Sequence, residues 1–312
     1  MLTKLIHRAI VVFLLITFVM AQGGGYALDF DGNNDYVNTT YSGISGNNDR
    51  TVEVWVKTSA TGVNFITEWG VQQINQRFTV TVTSSKLRVE FAGSWLLGST
   101  NVNDGLWHHL AATHSSTSSP STKLYIDGNL EATASFTINT SSSGNVLVGK
   151  SAYWSEREFD GSIDEVRIWS VARTVAQIAD NIHVLLDGDE TGLVAYYQMS
   201  NGSGTSLTDN SANSNTGTLY NMDNNDWVTS YAPIGTLNSS YTTDVEALWS
   251  ASGTSASDAS NGLSMTVSST LAEANFAVFG NNNTSGTSTS DIGSVGSTNR
   301  TGRIWQVDEL GQ

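Results

Sequence analysis

Apolar and polar residues alternate along most of the first half of the chain. In residues 51–58, TVEVWVKT, Val52, Val54 and Val56 point one way and Glu53, Trp55 and Lys57 the other, because successive side chains of a strand face opposite sides. The run RFTVTVT repeats the period with Phe78, Val80 and Val82 inward and three Thr outward, and LRVEF does so with Leu87, Val89 and Phe91. Each is a strand with one apolar face. KLYIDGNLEATASF carries Asp127 and Gly128 as a hairpin turn, whereas GYALDFDGNNDYVNTTY is expected to form a hairpin or tight strand pair around its Asn/Asp/Gly turn.

The segment EFDGSIDEVRIWSVAR continues the pattern after a turn at Asp160 and Gly161. Strict alternation places Asp164, Val166 and Ile168 on a buried face and Ile163, Glu165, Arg167 and Trp169 on the other. A carboxylate turned toward a core needs hydrogen bonds or a cation to offset its desolvation, so Asp164 is a candidate structural ligand. Beyond it, Val175, Ile178, Ala179 and Ile182 fall at helical spacing behind Thr174, which can cap the first turn. One short helix among many strands is predicted. Antiparallel strands with single apolar faces must pack as two sheets or roll into a barrel, and a jelly-roll sandwich is the simplest solution.

Composition narrows the class. Charged residues make up 14% of the 312, against about a quarter in ordinary domains, and Ser, Thr, Asn and Gly are abundant, which suits short strands joined by polar turns. A formal charge of −15 with no basic patch argues against nucleic acid as a partner. Cations and neutral polar ligands fit better. With no Cys the chain has neither disulfides nor thiol chemistry.

Residues 1–21 read as a signal peptide: Lys4, His7 and Arg8 precede an apolar run from Ala9 to Met20, and Val19 and Ala21 suit the cleavage positions. That run is shorter than the ~20 residues needed to span a bilayer, and no later stretch could cross one. The expected location is outside the cell.

ALDFDGNNDYV, TVEVWVKT, GLWHHLAATH, KLYIDGNLEA and FDGSIDEVRIWSVAR occur in the order and rough spacing of the laminin-G-like, concanavalin-like jelly-roll domain of bacterial secreted proteins, which the chain therefore resembles. The resemblance implies an all-β, two-sheet antiparallel sandwich over residues 22–186. Residues 187–233 resemble the tail that follows such domains in large surface proteins, with one strand over 193–199 whose sheet the pattern leaves open and a boundary at Pro233. Residues 234–312 resemble a β-rich, adhesin-like module. Its last strand, 303–307, has no partner after it, so the chain is expected to be a fragment of a longer protein with further modules.

The related laminarinase-like glycosidases carry ExDxxE on one strand. Here Glu158 and Asp160 begin that pattern but Ile163 ends it, so no such catalysis is expected. His108 and His109 point to opposite faces of a strand, and His108 and His114, on one side, are about 20 Å apart, too far to hold one ion, so core packing is the better account of them. Resemblance to concanavalin-like sandwiches implies a structural Ca²⁺ held by Asp164 with Asp29 and Asp31, beside Asn33 and Asp35. Asp209, Asn213 and Asn215 form a second oxygen-rich loop, more simply a turn.

Trp55, Tyr125 and Trp169 share the outward phase with Glu53, Lys57, Lys123 and Arg167. Flat rings beside polar groups suit stacking on sugars, so Trp55, Tyr125, Arg167 and Trp169 are the expected glycan-binding residues, unless the tail or a second sheet covers them. The expected function is a non-catalytic recognition or adhesion module that binds carbohydrate. The alternatives are a structural spacer, in which those aromatics would be buried, and an accessory domain of a polysaccharide hydrolase.

Overall fold

The computed structural model describes residues 25–232 and 234, and the backbone of three later strands. The expected signal peptide lies outside the described residues. In chain order the strands are β1 (Tyr26–Asp31), β2 (Tyr36–Thr39), β3 (Arg50–Lys57), β4 (Val63–Gly70), β5 (Arg77–Thr83), β6 (Lys86–Glu90), β7 (Trp95–Asn101), β8 (Trp107–His114), β9 (Thr122–Ile126), β10 (Asn129–Ala134), β11 (Leu147–Val148) and β12 (Asp160–Trp169). Then come helix α1 (Val175–Asn181) and β13 (Leu193–Tyr197), β14 (Ser206–Leu207), β15 (Gly217–Tyr220) and β16 (Trp227–Thr229).

They form two antiparallel sheets. The first runs β10-β9-β8-β3-β12-β1-β16 with β13 also on β12, and the second runs β14-β15-β2-β11-β4-β5-β6-β7. Between them lies one continuous core that includes Val52, Val54, Val56, Phe78, Val80, Val82, Leu87, Val89 and Phe91, the inward sets that alternation assigns. Each such buried side chain contributes roughly 1.5–3 kcal/mol. The tail question is resolved by pairing: β13 and β16 extend the first sheet and β15 pairs with β2 in the second.

Two local readings need correction. The turn after β1 does not close a hairpin, because β1 belongs to the first sheet and β2 to the second. The phase of β12 also breaks. Asp164 stands opposite Trp55 and Arg167 opposite Glu53, so Glu165 and Val166 together face Val54 alone, with Glu165 at φ 52°. This is a β-bulge, in which one extra residue resets the alternation. Ile163 therefore joins Val166 and Ile168 in the core, while Asp164 falls on the other face beside Trp55.

That other face is not open. Thr174 caps α1 through a capping box with Gln177, and the helix lays Ile178 on Ala111 and Tyr125. Ile182 packs on Trp55 and Trp107 together with Ala232 and Ile234, and Val184 and Leu186 pack on Trp169 and Tyr196. Among the described residues no helix is long and apolar enough to cross a membrane.

Beyond the sandwich, β17 (Val245–Asp258), β18 (Leu263–Asn281) and β19 (Ile304–Glu309) pair as an antiparallel sheet in that order. The closing strand thus finds its partner in β18, which precedes it.

Candidate ligand-binding site

The four residues expected to stack on sugar are inside the protein. Trp55 is 2% exposed, Tyr125 2%, Arg167 0% and Trp169 3%. Trp55 donates its indole N–H to Ile182 O at 3.0 Å, and Arg167 donates to Asn181 O at 2.9 Å and Val184 O at 2.6 Å. Arg173 reaches Glu53 Oε1 at 2.6 Å and covers the Trp169 ring at 3.9 Å. The expectation of an outward aromatic surface here is corrected: its polar partners bind the helix and the run behind it, so no ligand reaches these side chains in this fold. Burial alone would raise the Glu53 carboxyl. Contact with His109 and the charges of Arg173 and Arg167 outweigh it and hold Glu53 at about 2.

The three carboxylates expected around Ca²⁺ do not meet at one point. Asp29 stands opposite Ser162, whose hydroxyl donates to it at 2.9 Å, and Asp31 stands opposite Asp160. Asp31 Oδ1 accepts the backbone N–H groups of Asn33 and Asn34, which is turn chemistry. Asp164, four residues further along β12 than Asp160 and so about 14 Å from it at ~3.4 Å per residue, is fully buried and accepts from Ser230 Oγ and from Glu165 N at 2.8 Å. Burial and the adjacent Glu165 raise it well above the usual carboxylate range. Ca²⁺ draws about six to eight oxygens, and among the described residues no group of three His, Asp or Glu could hold a metal. The set does not fit one ion.

Three more sequence candidates have structural partners. His108 lies between Asp127 at 2.9 Å and Asp104 at 3.2 Å, and His114 contacts Thr122 and Asn47 at 3.0 Å each. Asp209 accepts the N–H groups of Tyr196, Ser211 and Asn215 and fixes its loop. Glu158 is buried and Ile163 lies in the core, so the incomplete glycosidase pattern lacks its third carboxylate.

The outer face of the second sheet is different. Cross-strand partners share a face, and the register aligns Trp95, Glu90, Thr79, Glu68, Leu147, Asn38 and Thr218 in one row across seven strands. At ~4.8 Å per strand the row runs about 29 Å. A loop over residues 150–157 lies on it. Glu68, raised by burial against the pull of Ala152 N–H and Arg77, anchors that loop by accepting from Ser151 Oγ at 2.9 Å and Ala152 N at 2.8 Å. The anchor sets Tyr153, whose hydroxyl donates to Gly70 O at 3.1 Å, beside a cleft of about 450 Å³. Asn38, Glu68, Asn145, Leu147 and Tyr153 are among its walls. Asn38 Oδ1 has no hydrogen-bond partner among the described residues. Next to the cleft Trp154 stacks on Phe65 with centroids 6.0 Å apart and covers the Arg77 guanidinium at 4.2 Å, and Tyr36 stacks on Tyr220 at 4.7 Å beneath Lys150. A part-exposed ring, an aliphatic floor and an unpaired amide oxygen form an arrangement that can hold a flat, hydroxyl-bearing ligand.

Residues 31–179 match the family model described as the concanavalin A-like lectin/glucanases superfamily. This segment has the concanavalin A-like jelly-roll fold. A Bacteroides ovatus protein assigned as carbohydrate-binding superposes with a TM-score of 0.53 at 20% identity, covering 65% of this chain and 61% of its own. The heptameric SAP-like pentraxin of Limulus polyphemus gives 0.41 at 16% identity over 49% of this chain and 80% of its own, and the sialidase CBM40 of Ruminococcus gnavus 0.41 at 14% over 49% and 94%. This chain therefore spans about three fifths of the Bacteroides ovatus chain. The sequence matches no curated protein.

The observed sandwich of the concanavalin A-like domain reaches past the matched span, since β13, β15 and β16 complete both sheets. Sequence reasoning missed Asn38, Leu147 and Tyr153. The outward Thr of β5 did mark this face as polar, but Tyr153 sits in a loop without periodicity, and only the sheet order brings β2 and β11 beside β4.

Proposed function

We propose that the protein is a non-catalytic carbohydrate-binding module acting outside the cell, and that it holds its ligand on the outer face of the second sheet. The observation that carries this reading is the 450 Å³ cleft lined by Tyr153, Leu147 and Asn38, whose Oδ1 has no hydrogen-bond partner among the described residues. Sugars present apolar C–H faces and hydroxyl donors together, and this cleft answers both. The carbohydrate binding assigned to a protein of like fold agrees with the reading without carrying it. The extracellular setting is supported by the charge and apolar run of residues 1–21.

A polysaccharide pull-down and glycan array tests it with wild type, Asn38→Ala and Tyr153→Ala. Wild type is expected to retain at least one glycan. Each variant should weaken it about fivefold or more, the equivalent of one lost hydrogen bond or ring contact, with an unchanged melting temperature. A blank wild type, or full binding by both variants, sinks the reading. The burial of Trp55, Tyr125 and Trp169 favours one rival, a structural spacer, which predicts that blank result from a well-folded protein.

A further inference from the structure

A second cleft lies at one end of the sandwich, where two stretches of chain pass from sheet to sheet. One is the β3–β4 connection, Ser59 to Gly62, and the other is the run Glu156 to Asp160 entering β12; between them is a cavity of about 570 Å³. Asn64 lines it. In register with the core residue Val82, Asn64 faces into the sandwich, and it is 4% exposed. Its Nδ2 is buried and has no hydrogen-bond partner among the described residues. An unmet buried donor costs about 1–3 kcal/mol, so the position calls for an acceptor that the cavity can admit.

The walls decide the chemistry of that acceptor. Glu156, Glu158 and Asp160 line the same cavity, with Arg157 as the cation among its lining residues. An anionic ligand would meet three carboxylates against one guanidinium, and a bare cation would satisfy the carboxylates while leaving the Asn64 amide without an acceptor. A hydroxyl does both, donating to a carboxylate and accepting from Nδ2. The volume falls within the range of small-ligand sites, roughly 300–1,000 Å³. The two clefts are neighbours through one loop: Ala152 and Tyr153 line the first, Glu156 and Arg157 the second, and Trp154 stands between them in the chain, with the Arg157 guanidinium 5.6 Å from its ring.

We infer that the sandwich-end cleft is a second subsite for a neutral, hydroxyl-rich unit of the same glycan, read by the Asn64 amide. This rests on the carbohydrate reading of the first cleft. A chain lying on the sheet face across Trp154 places an end or branch unit in it.

The test is calorimetry on the full chain with neutral cello-, laminari-, manno- and arabino-oligosaccharides of increasing length. Wild type should gain affinity with length until a chain spans both clefts. Asn64→Ala should remove about five- to tenfold of that gain, the loss of one or two neutral hydrogen bonds, while leaving the shortest chains unaffected. Thr61→Trp, on an exposed turn at the rim, should block the cleft and do the same without disturbing the fold. If both variants match wild type at every length while Asn38→Ala weakens binding, the second subsite is overturned and the first stands. If wild type binds none of the series, both fall. A melting temperature raised by CaCl₂ alone, and lost in Asn64→Ala, would assign the cleft to a cation and overturn the inference.

Discussion

Replacing Glu53 by Gln probes the charge network that seals the first sheet. Glu53 is fully buried, accepts from Arg173 Nη1 at 2.6 Å, and has His109 Nε2 at 3.4 Å. Burial works against its ionised form, yet those neighbours, with Arg167, bring its pKa from the ordinary 4.5 to about 2. At roughly 1.36 kcal/mol for each pH unit of displacement, the ionised Glu53 contributes about 3 kcal/mol of stability at neutral pH. A depressed carboxyl contributes fully above its unfolded value and loses that contribution as pH falls toward the folded one. Urea unfolding of wild type and Glu53→Gln should therefore differ by about 3 kcal/mol at pH 7, a size expected when one partner of a buried pair is removed. The gap should close between pH 4.5 and about 2. Asp164 and Glu165, which burial raises, titrate in both proteins and drop out of the difference. A gap that ignores pH, or one below ~1 kcal/mol at pH 7, would refute the assignment of that stability to ionised Glu53.

Trp55→Ala should cost about 3–5 kcal/mol in chemical denaturation, as for large aromatic truncations in cores, and should leave glycan affinity per folded molecule unchanged; selective loss of binding would return Trp55 to the ligand site. Ser230→Ala removes the hydroxyl that donates to Asp164 and accepts from Ala232 N at 3.1 Å. It should destabilise by about 1–3 kcal/mol and raise hydrogen exchange around residues 230–232; unchanged exchange there would show that this contact does not hold the segment in place.

The sequence by itself determined the strand-rich class, the single short helix and the inward side of several strands. Period-two patterns in β3, β5 and β6 placed their Val, Leu and Phe in the core because a half-buried strand leaves little freedom, and Thr174 marked the start of the helix. What lies over the opposite side was decided by tertiary structure. Trp55 and Trp169 share a strand phase with charged residues, and that phase reads the same whether water, sugar or a helix covers it. Here α1 and the segment behind it supply buried partners for Arg167 and Glu53, and the face becomes interior. The bulge at Glu165 is likewise invisible to a rule of strict alternation, and it moved Asp164 away from the face assigned to it. Asn38, Leu147 and Tyr153 converge because sheet order places β2, β11 and β4 side by side, although residues 38 and 147 are far apart in the chain. Local pattern fixes which way a side chain points, whereas a binding site depends on which distant strand arrives beside it.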